Sequence, residues 1–164
     1  MSEERFEQVK NTLAEYGGFC DTLKSEQERL AAEEAKAEES KLHAAMVEAS
    51  YIIALADGTV SQTEADALTD GMYRITNISQ ENLQTLYEVA TARVDNEGIE
   101  ARLRAIGEDI VDSDLRRGTF LIAAAVSWKD GGIGVKQGLA LQALARAFDI
   151  PMPEMHKLLG KAHG

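Results

Sequence analysis

The chain is poor in the residues that staple, kink or interrupt a fold. Its 164 residues include one Cys, two Pro, one Trp and 5% aromatic residues. The lone Cys20 cannot close an internal disulfide and leaves no pair for a CxxC redox or zinc motif. That usage points to a reducing compartment, the cytoplasm. Both prolines, Pro151 and Pro153, sit near the end, so no earlier helix is broken by proline. No run reaches the roughly 18 uninterrupted apolar residues of a membrane span. The opening MSEERFEQVK is charged and has no apolar h-region, so it does not read as a secretory signal. Basic residues are scarce as well, with 17 Lys+Arg against 28 Asp+Glu and a net charge of −11. This balance argues against general nucleic-acid binding and against adsorption to an anionic membrane surface. The acidic excess is concentrated in residues 46–114, whereas residues 115–164 carry more basic than acidic groups. An acidic middle segment can attract a cation or a basic partner at range, or simply keep the surface solvated.

What is present is a large apolar fraction, 45%, enough for one domain with a real core. Apolar residues recur at helical spacing throughout. Met46, Ile53 and the small Ala45, Ala49 and Ala56 repeat three or four apart, and so do Ala65, Leu68, Met72 and Ile75. No alternating run bounded by turns suggests a strand. The pattern predicts an all-α fold.

The first 40 residues differ in texture. A short helix is expected from Ser2 until Gly17-Gly18, followed by the Glu/Ala/Lys-rich run SEQERLAAEEAKAEESK over 25–41. That run has high helix propensity and little to bury, so it reads as a peripheral solvated helix or as a partner-binding arm. The expected division is an acidic N-terminal extension over 1–40 and a helical domain over 41–164. Within the second part, Ser61-Gln62-Thr63-Glu64 fits a capping box, and Ser79 is a second N-cap. Asp95 to Gly98 reads as a turn. Helices are expected over 99–110, 115–128 and 135–148, with the strongly apolar 115–128 at the centre. Pro151-Met152-Pro153 opens a terminal helix.

An internal repeat emerges when Asp57 is placed over Asp130. The first copy reads SYIIALADGTVSQTEADAL and the second AAAVSWKDGGIGVKQGLAL. Both comprise an apolar helix, Asp-Gly, a β-branched residue (Val60, Ile133) and another helix, with Leu68 over Leu141. Two helix–turn–helix units facing each other about a pseudo-twofold axis would bury both apolar faces. Only some packings of such units bring equivalent turns together.

ALADGTVSQTE followed by AVSWKDGGIGVKQ and LARAFDIP resembles the TerB-like family of tellurite-resistance proteins over residues 42–162. Its helical domain also occurs in membrane-anchored DnaJ-type co-chaperones. The resemblance implies a TerB-like helical bundle with internal duplication. It also implies a divalent cation, Ca²⁺ or another, held by acidic residues at each Asp-Gly turn and seven positions later. Carried over, these are Asp57, Glu64 and Asp130. Gln137 stands where the fourth carboxylate would be, which lowers the charge while leaving an amide oxygen able to ligate Ca²⁺. The spacing is not that of an EF-hand, which needs its glycine at the sixth position and its glutamate at the twelfth. Without a metal, Asp57 reads as a turn residue and Glu64 as the far half of the capping box.

Enzymatic motifs are lacking: there is no P-loop, GxSxG, HExxH or GxGxxG. His43, His156 and His163 pair with no defined nucleophile, and Cys20 reads as a small apolar residue. Trp128 is either a groove wall or a ring closing the bundle. Arg116 and Arg117 are expected to pair with Asp112 or Asp114. Two readings follow. One is a non-enzymatic cytoplasmic module of tellurite or other stress response that binds a divalent cation. The other is a metal-independent adaptor docking protein partners, membrane-associated ones included, without itself inserting in the membrane.

Overall fold

A computed structural model describes residues 19–128 and 132–163. All regular structure among them is helical: α1 Phe19–Leu55, α2 Gln62–Thr76, α3 Gln80–Glu97, α4 Ile99–Asp109, α5 Ser113–Ser127, α6 Val135–Ala147 and α7 Met152–His163. The all-α expectation holds. None of these helices is long and apolar enough to cross a membrane. The helix expected from Ser2 to Gly17, the environment of Cys20, and Asp130 all lie outside what is described.

Contacts divide the chain into two units, Met1–Lys41 and Leu42–Gly164. In the first, α1 runs through the Glu/Ala/Lys segment with its side chains almost entirely exposed. Local ion pairs run along this surface. Arg29 bridges Glu26 and Glu33, one turn to either side, and its hydrogen bond holds the Glu26 carboxyl below the usual carboxylate range.

The second unit is built around the last turns of α1. Ala45, Met46, Val47, Ala49, Ile52, Ile53 and Ala54 are all buried. A helix that is apolar all round has to be enclosed, and its small residues let neighbouring helices approach closely. Sequence periodicity placed 115–128 at the centre. In the structure α5 shares that place, with Phe120, Ala123 and Ala124 in the main cluster and Val126 in a second one with Leu68, Met72 and Tyr87. Leu121 and Ile122 are only half-buried. The helix enclosed on every side is the end of α1.

One charged side chain enters that enclosed helix, beside Ser50, whose hydroxyl donates to the Met46 carbonyl at 3.0 Å. Glu48 is 6% exposed and is held bidentately by Arg102 of α4, at 2.8 and 3.0 Å, with Arg93 of α3 at 3.2 Å. The hydrogen bonds that Arg102 donates to Glu48 raise the Arg102 pKa above its ordinary value. Arg116 plays a comparable role between helix ends. Its guanidinium donates to the carbonyls of Gly107 and Ile110, closing α4, and to that of Phe148, closing α6, while it stacks over the Phe148 ring. A cation is favoured at helix C-termini, where carbonyls lack intrahelical donors. Only Arg117 pairs with Asp114, at 3.7 Å, and it also pairs with Glu154. Asp112 instead caps α5, its side chain accepting from the Leu115 N–H at 3.0 Å.

Two other expectations need correction. The chain does not turn over Asp95–Gly98, because α3 continues to Glu97 and only Gly98, at φ 88°, departs from it. Ile75 does not share the buried face of α2 and is 51% exposed. That face follows a strict spacing of four, Glu64, Leu68, Met72 and Thr76, and Ile75 is rotated away from it.

Candidate functional site

The first Asp-Gly turn follows directly from α1. Gly58 donates to the Leu55 carbonyl at 2.8 Å and adopts φ 103°, a region that L side chains rarely enter. The chain then extends to Ser61, whose hydroxyl accepts from the Glu64 N–H at 3.1 Å. Glu64 reaches back so that its Oε1 accepts from the Ser61 N–H at 3.3 Å. The capping box read from the sequence is present in both halves.

Residues 132–134 lead into α6, whose N-cap is Gly134. It carries no side-chain cap, unlike Ser61 at the matching position. The carboxylate of Asp57 lies against it instead. A Cβ at Gly134 would meet Asp57 Oδ2 at 3.3 Å and Oδ1 at 3.4 Å. The acid of the first turn therefore sits at the positive end of α6. A side chain at 134 would have to displace the carboxylate by a few tenths of an ångström.

The two copies also meet side chain to side chain. Gln137 Nε2 donates to Glu64 Oε2 at 2.9 Å, and the residues are 73 positions apart. That separation equals the offset that superimposes Asp57 on Asp130. Glu64 and Gln137 are 4% and 3% exposed, so their bond is shielded from water. The amide nitrogen rather than its oxygen faces Glu64, because two acceptors cannot bond to each other.

Of the three residues expected to ligate a cation, Asp57 and Glu64 lie around this junction, and Asp130 is outside the described residues. Among the described residues no group of three or more His, Cys, Asp or Glu could hold a metal ion. The donors at hand are carboxylates and one amide. Hard oxygen donors of this kind suit Ca²⁺ or Mg²⁺ rather than a soft metal. Both oxygens of Glu64 already accept N–H groups.

Comparison with protein-family models, curated proteins and solved structures finds no match to this chain. Its function has to be argued from these residues.

The placing of Asp57 against α6 had no sequence signal beyond the glycine at 134. The Glu64–Gln137 contact did have one, since both are third residues of helices that follow Asp-Gly turns. Trp128 ends α5 half-buried, with its ring edge-to-face with His163 at 4.4 Å. Its Nε1 is buried and has no hydrogen-bond partner among the described residues. His43 lies half-buried on α1.

Proposed function

We propose that this chain is a non-enzymatic, TerB-like module of tellurite or other stress response in the cytoplasm. Its working site is the junction of the two Asp-Gly turns. The observation that carries this reading is the Glu64–Gln137 hydrogen bond. It joins positions that correspond in the two sequence repeats, the convergence that a shared site requires. The Asp57 carboxylate reaching Gly134 crosses between the same two turns.

At that junction Asp57 and Glu64, with Asp130, would hold a divalent cation of the hard class, Ca²⁺ or Mg²⁺. Gln137 would contribute a neutral oxygen once its amide has turned over. The cation would supply charge neutralisation and a cross-link between the turns. Glu64 presents a buried carboxylate, Asp57 contributes charge at the exposed edge, and Gly134 leaves room for the Asp57 carboxylate. Gln137 lowers the total negative charge, which favours weak and reversible binding over a permanent structural ion.

The second reading, a metal-independent adaptor for protein partners, is favoured by a different observation. Glu64 has a donor on each oxygen without any ion. The duplicated unit then serves as a rigid platform, and α6 offers Val135 and Leu139, 83% and 59% exposed, on one face.

The test is a melting curve of chelator-stripped protein with millimolar Ca²⁺, Mg²⁺, Mn²⁺ or Zn²⁺, repeated on Asp57→Ala. A ligand present at 100 times its Kd stabilises the native state by about 2.7 kcal/mol. A rise of several degrees for one ion, lost in the variant, supports the cation module. A flat response to all four moves the assignment to the adaptor.

A further inference from the structure

We infer that residues 64 and 137 form an interchangeable acid–amide pair on an internal pseudo-twofold axis, the contact that locks the two helix–turn–helix repeats together without an ion. Two side chains related by a twofold can touch each other only near the axis itself. The bond between counterparts 73 positions apart is the contact that such an axis would place at its centre.

The chemistry at such a point is constrained. A pair of identical side chains would be two glutamates or two glutamines. Two buried carboxylates at 2.9 Å repel strongly and need a proton or cation between them. Two amides can bond but bring no charge to the helix N-termini on which both sit. One acid and one amide make a charge-assisted hydrogen bond that needs nothing else. Gln137 is thus the residue that makes the junction complete when empty.

The local surroundings allow the roles to be exchanged. Glu64 is the third residue of α2 and reaches back to the Ser61 N–H, a task that glutamine at this helix position also performs. Residue 137 holds the same place in α6, behind Gly134, where no side-chain cap is made. A glutamate there could reach back to the Gly134 N–H as Glu64 does to Ser61. Exchanging the two residues would therefore rebuild the same acid–amide contact, although the end of α6 already has the Asp57 carboxylate lying against Gly134.

This inference concerns the junction at which the cation reading is placed. Its test runs entirely in chelator, so either can fail without the other. Thermal melts of the full chain in EDTA would compare wild type, Glu64→Gln, Gln137→Glu and the double exchange Glu64→Gln/Gln137→Glu. Gln137→Glu is expected to lose at least about 10 °C, or to fail to fold, because it sets two buried carboxylates face to face. Glu64→Gln should lose only a few degrees. The double exchange should recover more than half of the loss from Gln137→Glu, or restore folding. A Gln137→Glu melt within about 2 °C of wild type would overturn the inference. So would a double exchange no more stable than Gln137→Glu.

Discussion

Glu48 and Arg102 form a bidentate ion pair, at 2.8 and 3.0 Å, that fastens the most enclosed helix of the second unit to α4. Their side chains are 8% and 12% exposed, so neither can turn to water if the other is removed. The contact also fixes the rotation of α1 about its own axis, because Glu48 is the one charged residue among the buried positions 45–50.

Glu48→Ala should therefore be destabilising, by about 3 kcal/mol, because it leaves the largely buried Arg102 guanidinium with only the half-exposed Glu97, 3.5 Å away, as a counter-charge. Arg93→Ala, which removes the half-exposed partner, should cost less than about 1 kcal/mol. Urea unfolding followed by circular dichroism measures both. Equal losses for the two would contradict the picture of Arg102 as the essential partner.

Gly107 marks the closest approach of α4 and α6. An added Cβ would lie 2.5 Å from the Ala147 carbonyl oxygen, so Gly107→Ala must push the helices apart. The expected cost is about 1–3 kcal/mol. Gly118 of α5 has nothing within 4 Å of such an atom. Gly118→Ala should raise stability by roughly 0.4–1 kcal/mol, because it removes freedom from the unfolded chain. Melting temperatures of opposite displacement would establish the contrast.

Tyr87 should ionise above the ordinary tyrosine range. Burial pushes its hydroxyl pKa up, and the hydrogen bond with Thr69, at 2.9 Å, offsets part of that rise. Its ring is also stacked on Tyr51 at 4.5 Å. Since the folded-state pKa lies above the unfolded one, the contribution to stability is whole below the ordinary tyrosine range. It is lost as pH rises through the folded value. An ultraviolet titration of phenolate absorbance should show a late step that Tyr87→Phe removes. A single step at the ordinary value in wild type would refute this.

Asp57 should matter to α6 even in chelator. Asp57→Asn keeps the shape and removes the charge beside the uncapped Gly134 end, at a cost of about 0.3–1 kcal/mol. Raised salt should shrink the difference between the two proteins. A salt-independent difference would point to a cause other than the helix dipole.

Much of this architecture was written in local sequence chemistry. Capping at Ser61, Ser79 and the terminal prolines requires only neighbours a few residues away, so those helix starts were legible. Period alone exposed the helical class, since the backbone sets the spacing of a buried face. The sequence repeat was legible too, because Asp-Gly, a β-branched residue and a following apolar run recur at one offset. Asp57 and Glu64 were singled out as candidate ligands by the resemblance to the TerB-like family, while their own spacing read as a turn residue and a capping-box residue.

Tertiary packing decided the rest. Ile75 matched a helical period but missed the buried face by one position, and only the arrangement of neighbouring helices selects the stripe that is covered. Arg116 looked like a partner for nearby acids, yet it closes α4 and α6 because those carbonyls come together only after folding. The Glu48–Arg102 pair spans 54 residues, and no local rule links its members. Gln137 read in sequence as a departure from a metal motif. In the fold it is the donor that Glu64 requires, because a buried carboxylate must find a partner and packing brought this one within reach.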